Sequence, residues 1–184
     1  MDRILAVFLE RQEKDACALN AESDLVEVTP MEPTPCQKYL VRYGCTGLVR
    51  TPEGVQEAND FRIGVYFPLD YMQRASAPEC LTFLWPVSAW QPAVRFPFIC
   101  PGVLTPGTPL LEIIEQCGEI LSFKKVTMAE GQALNRQACS WARRNKQRFP
   151  IDARPLRRAA VRYRAENAEN GGMPATNEPA GEES

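Results

Sequence analysis

The sequence predicts an α+β fold: an N-terminal helix, a four-stranded antiparallel meander sheet, an irregular loop holding Cys100, and C-terminal helices. Three observations predict it. Residues 3–19 gather Ile4, Leu5, Val7, Phe8 and Leu19 on one side, while residues 10–15 are nearly all polar. Between residues 25 and 86, four apolar stretches of strand length end at proline or turn residues. After residue 107, apolar residues recur at helical spacing instead. With 184 residues, 45% of them hydrophobic, one domain can bury a core without disulfides.

In chain order, the helix over 3–19 is followed by a break at "AESDL" and a short strand over 25–28. Thr29, Pro30 and the Pro-rich link "MEPTP" stop that strand. "QKYLVRY" alternates Tyr39, Val41 and Tyr43 against Leu40 and Arg42, and is expected to run on through Gly44 and "CTGLVR" to a turn at "TPEG". "FRIGVYFP" sets Phe61, Ile63, Val65 and Phe67 on one face at period two, and Pro68 ends it. "PLDYMQRASAP" reads as loop, and "ECLTFLWP" as a fourth strand closed by Pro86. Trp85 and Trp90, beside Pro86 and Pro92, are expected to pack the loop that follows.

In "TPGTPLLEIIEQCGEILSF", Thr108 is the expected N-cap and Pro109 suits the first helical position, where a missing N–H costs nothing. Leu110, Leu111, Ile113, Ile114, Cys117 and Leu121 mark the buried side. "TMAE" matches a capping box between Thr127 and Glu130. It is expected to open a last helix running to Gln147, with Leu134, Ala138, Trp141 and Ala142 inward and a stop at Phe149 and Pro150. Residues 1–158 form the expected domain. Residues 159–184 form a basic, then acidic tail, which reads as disordered because it has almost no large apolar side chain.

Composition removes several chemistries. Histidine is absent, which excludes Cys-His and Ser-His-Asp catalysis, HExxH metalloenzymes and zinc sites that use imidazole. The seven cysteines include no CxxC pair, so neither a metal nor any other cofactor is expected. Their odd number fits a reducing compartment, here the cytoplasm. No apolar run reaches the length of a membrane span, and "MDRILAVFLERQEKDACAL" lacks the shape of a signal peptide.

Charge is uneven along the chain. From Trp141 to Arg164 there are nine Arg or Lys against one acid, Asp152, whereas residues 165–184 carry five Glu and no basic residue. Few aromatic side chains accompany the basic stretch, so nucleic acid is not an expected partner and a solvated face is.

Cys100 stands apart from the other cysteines. "VRFPFICPG" ends an apolar run on a thiol and then forbids regular structure with Pro101 and Gly102. The residue is either an inert core filler or a nucleophile held on a rigid loop. Without an imidazole base, exchange between a thiol and a thioester remains open to it, since attacking and leaving groups are both thiols. Cys17, Cys117 and Cys139, on expected helices, and Cys45 and Cys80, at strands, read as structural. Cys36, in the Pro-rich link, reads as exposed.

With these elements on the page, the sequence resembles the ubiquitin-conjugating enzymes. "FRIGVYFPLDYMQRASAP" resembles their third strand and its FP-x-x-Y-P-x-x-P loop, through Phe67, Pro68, Tyr71 and Pro78. "FLWPVSAWQPAVRFPFIC" resembles the fourth strand, the His-Pro-Asn tripeptide and the run to the catalytic Ile-Cys. Gln91, Pro92 and Ala93 stand at the tripeptide here, and Ile99 and Cys100 at the pair. "PGTPLLEIIEQCGEIL" and "LNRQACSWARRN" resemble the two following helices, and "WARRNKQRFPIDARPLRR" is closer to the prokaryotic branch of the superfamily. The likeness spans residues 3–158.

The resemblance implies the UBC fold. It also implies that Cys100 takes the C-terminal glycine of a ubiquitin-like modifier from an activating enzyme, as a thioester, and passes it to an acceptor amine or other nucleophile on a protein. The N-terminal helix, with Arg3, Arg11 and Lys14, would meet the activating enzyme; a plain amphipathic helix explains those charges equally. Ala93 departs from the family, because it cannot supply the asparagine's hydrogen bond. Gln91 is then the candidate for oxyanion or loop support. The alternative is a non-catalytic UBC-fold scaffold that binds a modifier or partner.

Overall fold

In a computed structural model, residues 2–157 are described. The tail expected over 159–184 lies outside the described residues.

Helix α1 (Arg3–Glu22) opens with Asp2, whose carboxylate accepts from the Ile4 amide, and it buries Leu5, Leu9, Ala16 and Leu19. Asn20, near its end, clasps Val28 through both N–H and C=O, at 2.7 and 2.8 Å, which ties the helix to β1 (Val26–Pro30). Then come β2 (Lys38–Tyr43), β3 (Gly47–Thr51), β4 (Gly54–Ala58), β5 (Phe61–Tyr66), a short turn α2 (Ala77–Cys80) and β6 (Leu81–Trp85). The main sheet has four antiparallel strands in the order β1-β2-β5-β6. Val28, Val41 and Ile63 stand in register across it and all are buried. This is the α+β architecture expected, with further helices after the sheet.

Helix α3 (Leu110–Leu121) covers the same sheet face, burying Leu110, Ile113, Ile114 and Cys117. The Tyr43 hydroxyl, buried, donates to the Ile114 carbonyl at 3.0 Å. The start of α3 is not capped by Thr108. Pro109 occupies the cap position, the Thr108 hydroxyl donates to Thr105, and the buried Gln12 of α1 accepts from the Leu110 amide at 2.8 Å. A side chain far away in sequence satisfies the orphan N–H there.

Several expectations are corrected. β2 does not run on to "TPEG": the chain breaks after Tyr43, and β3 pairs instead with β4 as a separate hairpin. Gly47 must approach closely there, because an added Cβ would lie 2.6 Å from the Leu121 carbonyl oxygen. The "TMAE" box does not open a helix. A 3-10 turn spans Glu130–Gln132, and helix α4 (Arg136–Arg144) starts later with Asn135, which accepts from the Ala138 amide. Glu130 pairs with Arg143 at 3.1 Å.

Asp152 closes the C-terminal end of the described chain. It accepts from the Thr46 amide at 2.9 Å and from the Arg154 guanidinium at 2.6 Å, and its own N–H reaches Ser122. Arg154 of the basic stretch is thus paired with Asp152 while its side chain stays exposed. Among the described residues, no helix is long and apolar enough to cross a membrane.

Candidate functional site

The loop that carries Cys100 is built from the backbone outward. After β6, residues 88–90 lay themselves along β3: Arg50 N–H donates to Ser88 at 2.8 Å and Trp90 N–H donates to Leu48 at 2.7 Å. The separate β3–β4 hairpin is therefore the bed on which the loop rests. Next come two short strands, β7 (Val94–Arg95) and β8 (Phe98–Ile99), paired with each other. The Phe83 amide donates to the Pro97 carbonyl at 2.7 Å, which fastens the hairpin to β6.

Cys100 follows β8 directly and is exposed. Its N–H donates to the Ala93 carbonyl at 3.0 Å. The Ala93 N–H in turn donates to the Gln91 side-chain oxygen. Gln91 is 2% exposed, and its amide nitrogen donates to the carbonyls of Ile120, at 3.2 Å, and Lys125, at 3.1 Å. A continuous relay thus runs from the end of α3 through Gln91 and Ala93 to the backbone of Cys100. Both side-chain N–H groups of Gln91 are spent in it. The residue holds the loop, and neither donor is left for an oxyanion.

Lys125 grips the same loop from the other side, its ammonium donating to the Pro101 carbonyl at 2.9 Å. Gly102 sits at φ 124°, a conformation L side chains rarely adopt, so Pro101 and Gly102 turn the chain sharply past the thiol. The far end of the loop is fixed at Thr108, whose carbonyl accepts from the Tyr71 hydroxyl at 2.8 Å. Burial pushes the Tyr71 hydroxyl well above its ordinary pKa, so it stays a donor. Tyr71 packs on Phe67 with ring centroids 4.8 Å apart, and Phe67 on Phe8 of α1. The residues read from the FP-x-x-Y stretch therefore brace the loop.

The other thiols separate cleanly from Cys100. Cys36, Cys45, Cys80, Cys117 and Cys139 are buried, and Cys17 alone shares the exposure of Cys100. Two expectations are reversed: Cys17 is no core filler, and Cys36 is sealed, with its thiol donating to the Lys38 carbonyl. Burial pushes the Cys45 and Cys117 thiols up to about 12, so both are protonated and inert at neutral pH. Trp90 packs the loop as expected, but Trp85 is half exposed. Of the α1 cations, Arg11 pairs loosely with Asp15 at 3.8 Å. Among the described residues, no group of three or more Cys, Asp or Glu side chains is placed to hold a metal.

What the sequence did not single out is the support: Gln12, Lys125 and Asn135, whose N–H donates to the Pro92 carbonyl at 3.0 Å. All three act across long sequence separations, and no local pattern marks them. No family model matches the chain, and no curated protein does.

Proposed function

We propose that this chain is a ubiquitin-like-protein conjugating enzyme with a UBC-like fold, of the prokaryotic branch, that carries its modifier as a thioester on Cys100. The observation that supports this reading most is the pairing of an exposed thiol with a loop pinned at Ala93, Pro101, Pro97 and Thr108. An inert core cysteine needs neither. The order of helix, four-stranded antiparallel sheet, thiol loop and helices supports it as well. A reducing cytoplasm suits a working free thiol.

In this reading the Cys100 sulfur, as thiolate, attacks the thioester carbonyl of the modifier on its activating enzyme. A new C–S bond forms, the old one breaks, and the activating enzyme's sulfur leaves as a thiolate, which takes up from solvent the proton that Cys100 gave up; nothing is oxidised or reduced. An acceptor amine or other nucleophile on a protein then takes the acyl group and Cys100 is released. The rigid loop holds the sulfur in place without a cost in ordering at the moment of attack. The second step lacks the asparagine of the family's tripeptide, and the geometry of Gln91 does not replace it.

That deficit favours a second reading, a scaffold of the same shape that binds a modifier or partner without transferring it. Incubation with the cognate activating enzyme, modifier and ATP tests the two. The first reading expects a wild-type adduct removed by reductant, with Cys100→Ser giving a reductant-stable ester or no adduct. The second expects modifier binding that survives Cys100→Ala and no covalent adduct at all.

A further inference from the structure

Cys100 and Arg95 share one face of the hairpin. The register of β7 and β8 sets Val94 opposite Ile99 and Arg95 opposite Phe98. The Cys100 N–H, bonded to the Ala93 carbonyl, carries the same ladder one pair further. Side chains alternate along a strand, so Val94 and Ile99 take one face and are buried, while Arg95, Phe98 and Cys100 take the other and are exposed. Arg95 is thereby the diagonal neighbour of Cys100 across the hairpin. Residues in that relation lie roughly 7–8 Å apart, within reach of a long side chain.

We infer that Arg95 stabilises the oxyanion formed when an amine attacks the thioester on Cys100. This deepens the conjugating reading of the site and rests on it.

The chemistry asks for such a donor. The amine adds to the carbonyl carbon, and the C=O electron pair moves onto oxygen. Collapse restores the C=O bond, breaks the C–S bond and expels the Cys100 thiolate, while the proton lost by the amine passes to water. The oxygen carries its full negative charge only between these two events, so a donor beside it lowers the barrier selectively. Ala93 has no side-chain donor, and the amide nitrogen of Gln91 is committed to the carbonyls of Ile120 and Lys125.

Arg95, in contrast, is uncommitted. Among the described residues its guanidinium has no hydrogen-bonding, ionic or ring partner. Elsewhere the guanidiniums are engaged: Arg42 and Arg62 share Asp60, Arg74 meets Asp70, and Arg154 meets Asp152. A guanidinium stays charged and presents five N–H groups in a planar fork, so it serves without moving a proton. That suits a chain with no histidine.

The test uses the full-length Cys17→Ser protein, in which Cys100 is the one exposed thiol among the described residues. Cys100 is acylated with the thiophenyl ester of N-acetylglycine, a stand-in for the C-terminal glycine of a modifier, and discharge by hydroxylamine is followed by intact mass. Alkylation of the free thiol by iodoacetamide supplies the reference, because it breaks a C–I bond at saturated carbon and builds no oxyanion. Arg95→Gln and Arg95→Met, two neutral replacements checked for folding by circular dichroism, are expected to slow discharge about tenfold more than they slow alkylation. That is less than the roughly hundredfold typical of a donor in a closed site, because Arg95 is exposed. Arg95→Lys, which keeps the charge, is expected to recover part of the rate. Equal slowing of discharge and alkylation, discharge unchanged in both neutral variants, or failure of Cys100 to take up the acyl group would each overturn the inference. The probe needs neither activating enzyme nor modifier, so a protein that shows the expected pattern yet never loads from an activating enzyme loses the conjugating reading alone.

Discussion

Lys125 reaches across from beyond helix α3 and donates to the carbonyl of Pro101, the residue after Cys100, at 2.9 Å. Its own carbonyl accepts from Gln91, which holds the segment before Cys100. One residue thus clamps both flanks of the thiol. Lys125→Met keeps the side-chain length and removes the charged hydrogen bond, at a cost of about 1 kcal/mol. The expected outcome is faster amide exchange at Cys100, whose N–H is bonded to Ala93, with a small fall in Tm. Unchanged exchange there would mean that the clamp does not order the loop.

Gln91 carries more stability than its place in a loop suggests. Gln91→Ala strands the Lys125 carbonyl and the Ala93 N–H and takes one donor from the Ile120 carbonyl, which keeps the Phe123 N–H. A loss of about 2–4 kcal/mol in chemical denaturation is expected. Gln91→Glu is expected to be at least as damaging, since it sets a carboxylate against two carbonyl oxygens.

These two residues also show what a sequence leaves unread. Phe61, Ile63, Val65 and Phe67 were legible because alternation in a strand that buries one face is a local rule. Helix α3 was legible through its apolar spacing. The β4 strand was not, because residues 54–58 are only half buried and leave almost no hydrophobic pattern. The "TMAE" box misled because Glu130 found a better partner in Arg143. Gln91 resembled an ordinary loop glutamine; its burial depends on carbonyls about thirty residues away, which local pattern does not register. Cys100 was marked by its Pro-Gly boundary, whereas the place of Arg95 beside it needed the register of the hairpin.

Asp152 makes stability sensitive to acid. The Arg154 guanidinium, first, and the Thr46 amide hold its carboxyl well below the usual carboxylate range. A depressed folded-state pKa contributes stability that is complete above the ordinary carboxylate value of about 4 and is lost as pH falls through the folded-state pKa. Asp152→Asn is therefore expected to lower Tm at pH 7, and the gap from wild type should narrow as the pH drops below about 4. A gap that stays constant with pH would contradict this assignment.

Brief alkylation separates the thiols by burial. Iodoacetamide on the native protein at pH 8, mapped by peptide mass, is expected to label Cys17 and Cys100 first. Cys45 and Cys117 should react only after unfolding. Rapid labelling of Cys117 in the folded protein would show that helix α3 is not packed as described.

The most direct measurement of the central claim is intact-mass analysis of the Cys17→Ser protein after incubation with activating enzyme, ubiquitin-like modifier and ATP, quenched without reductant. The account predicts one added modifier, mapped to the Cys100 peptide and released by dithiothreitol, and none when Cys100 is also replaced by Ser and the quench is alkaline. A modifier that loads its activating enzyme yet never appears on Cys100 would contradict it.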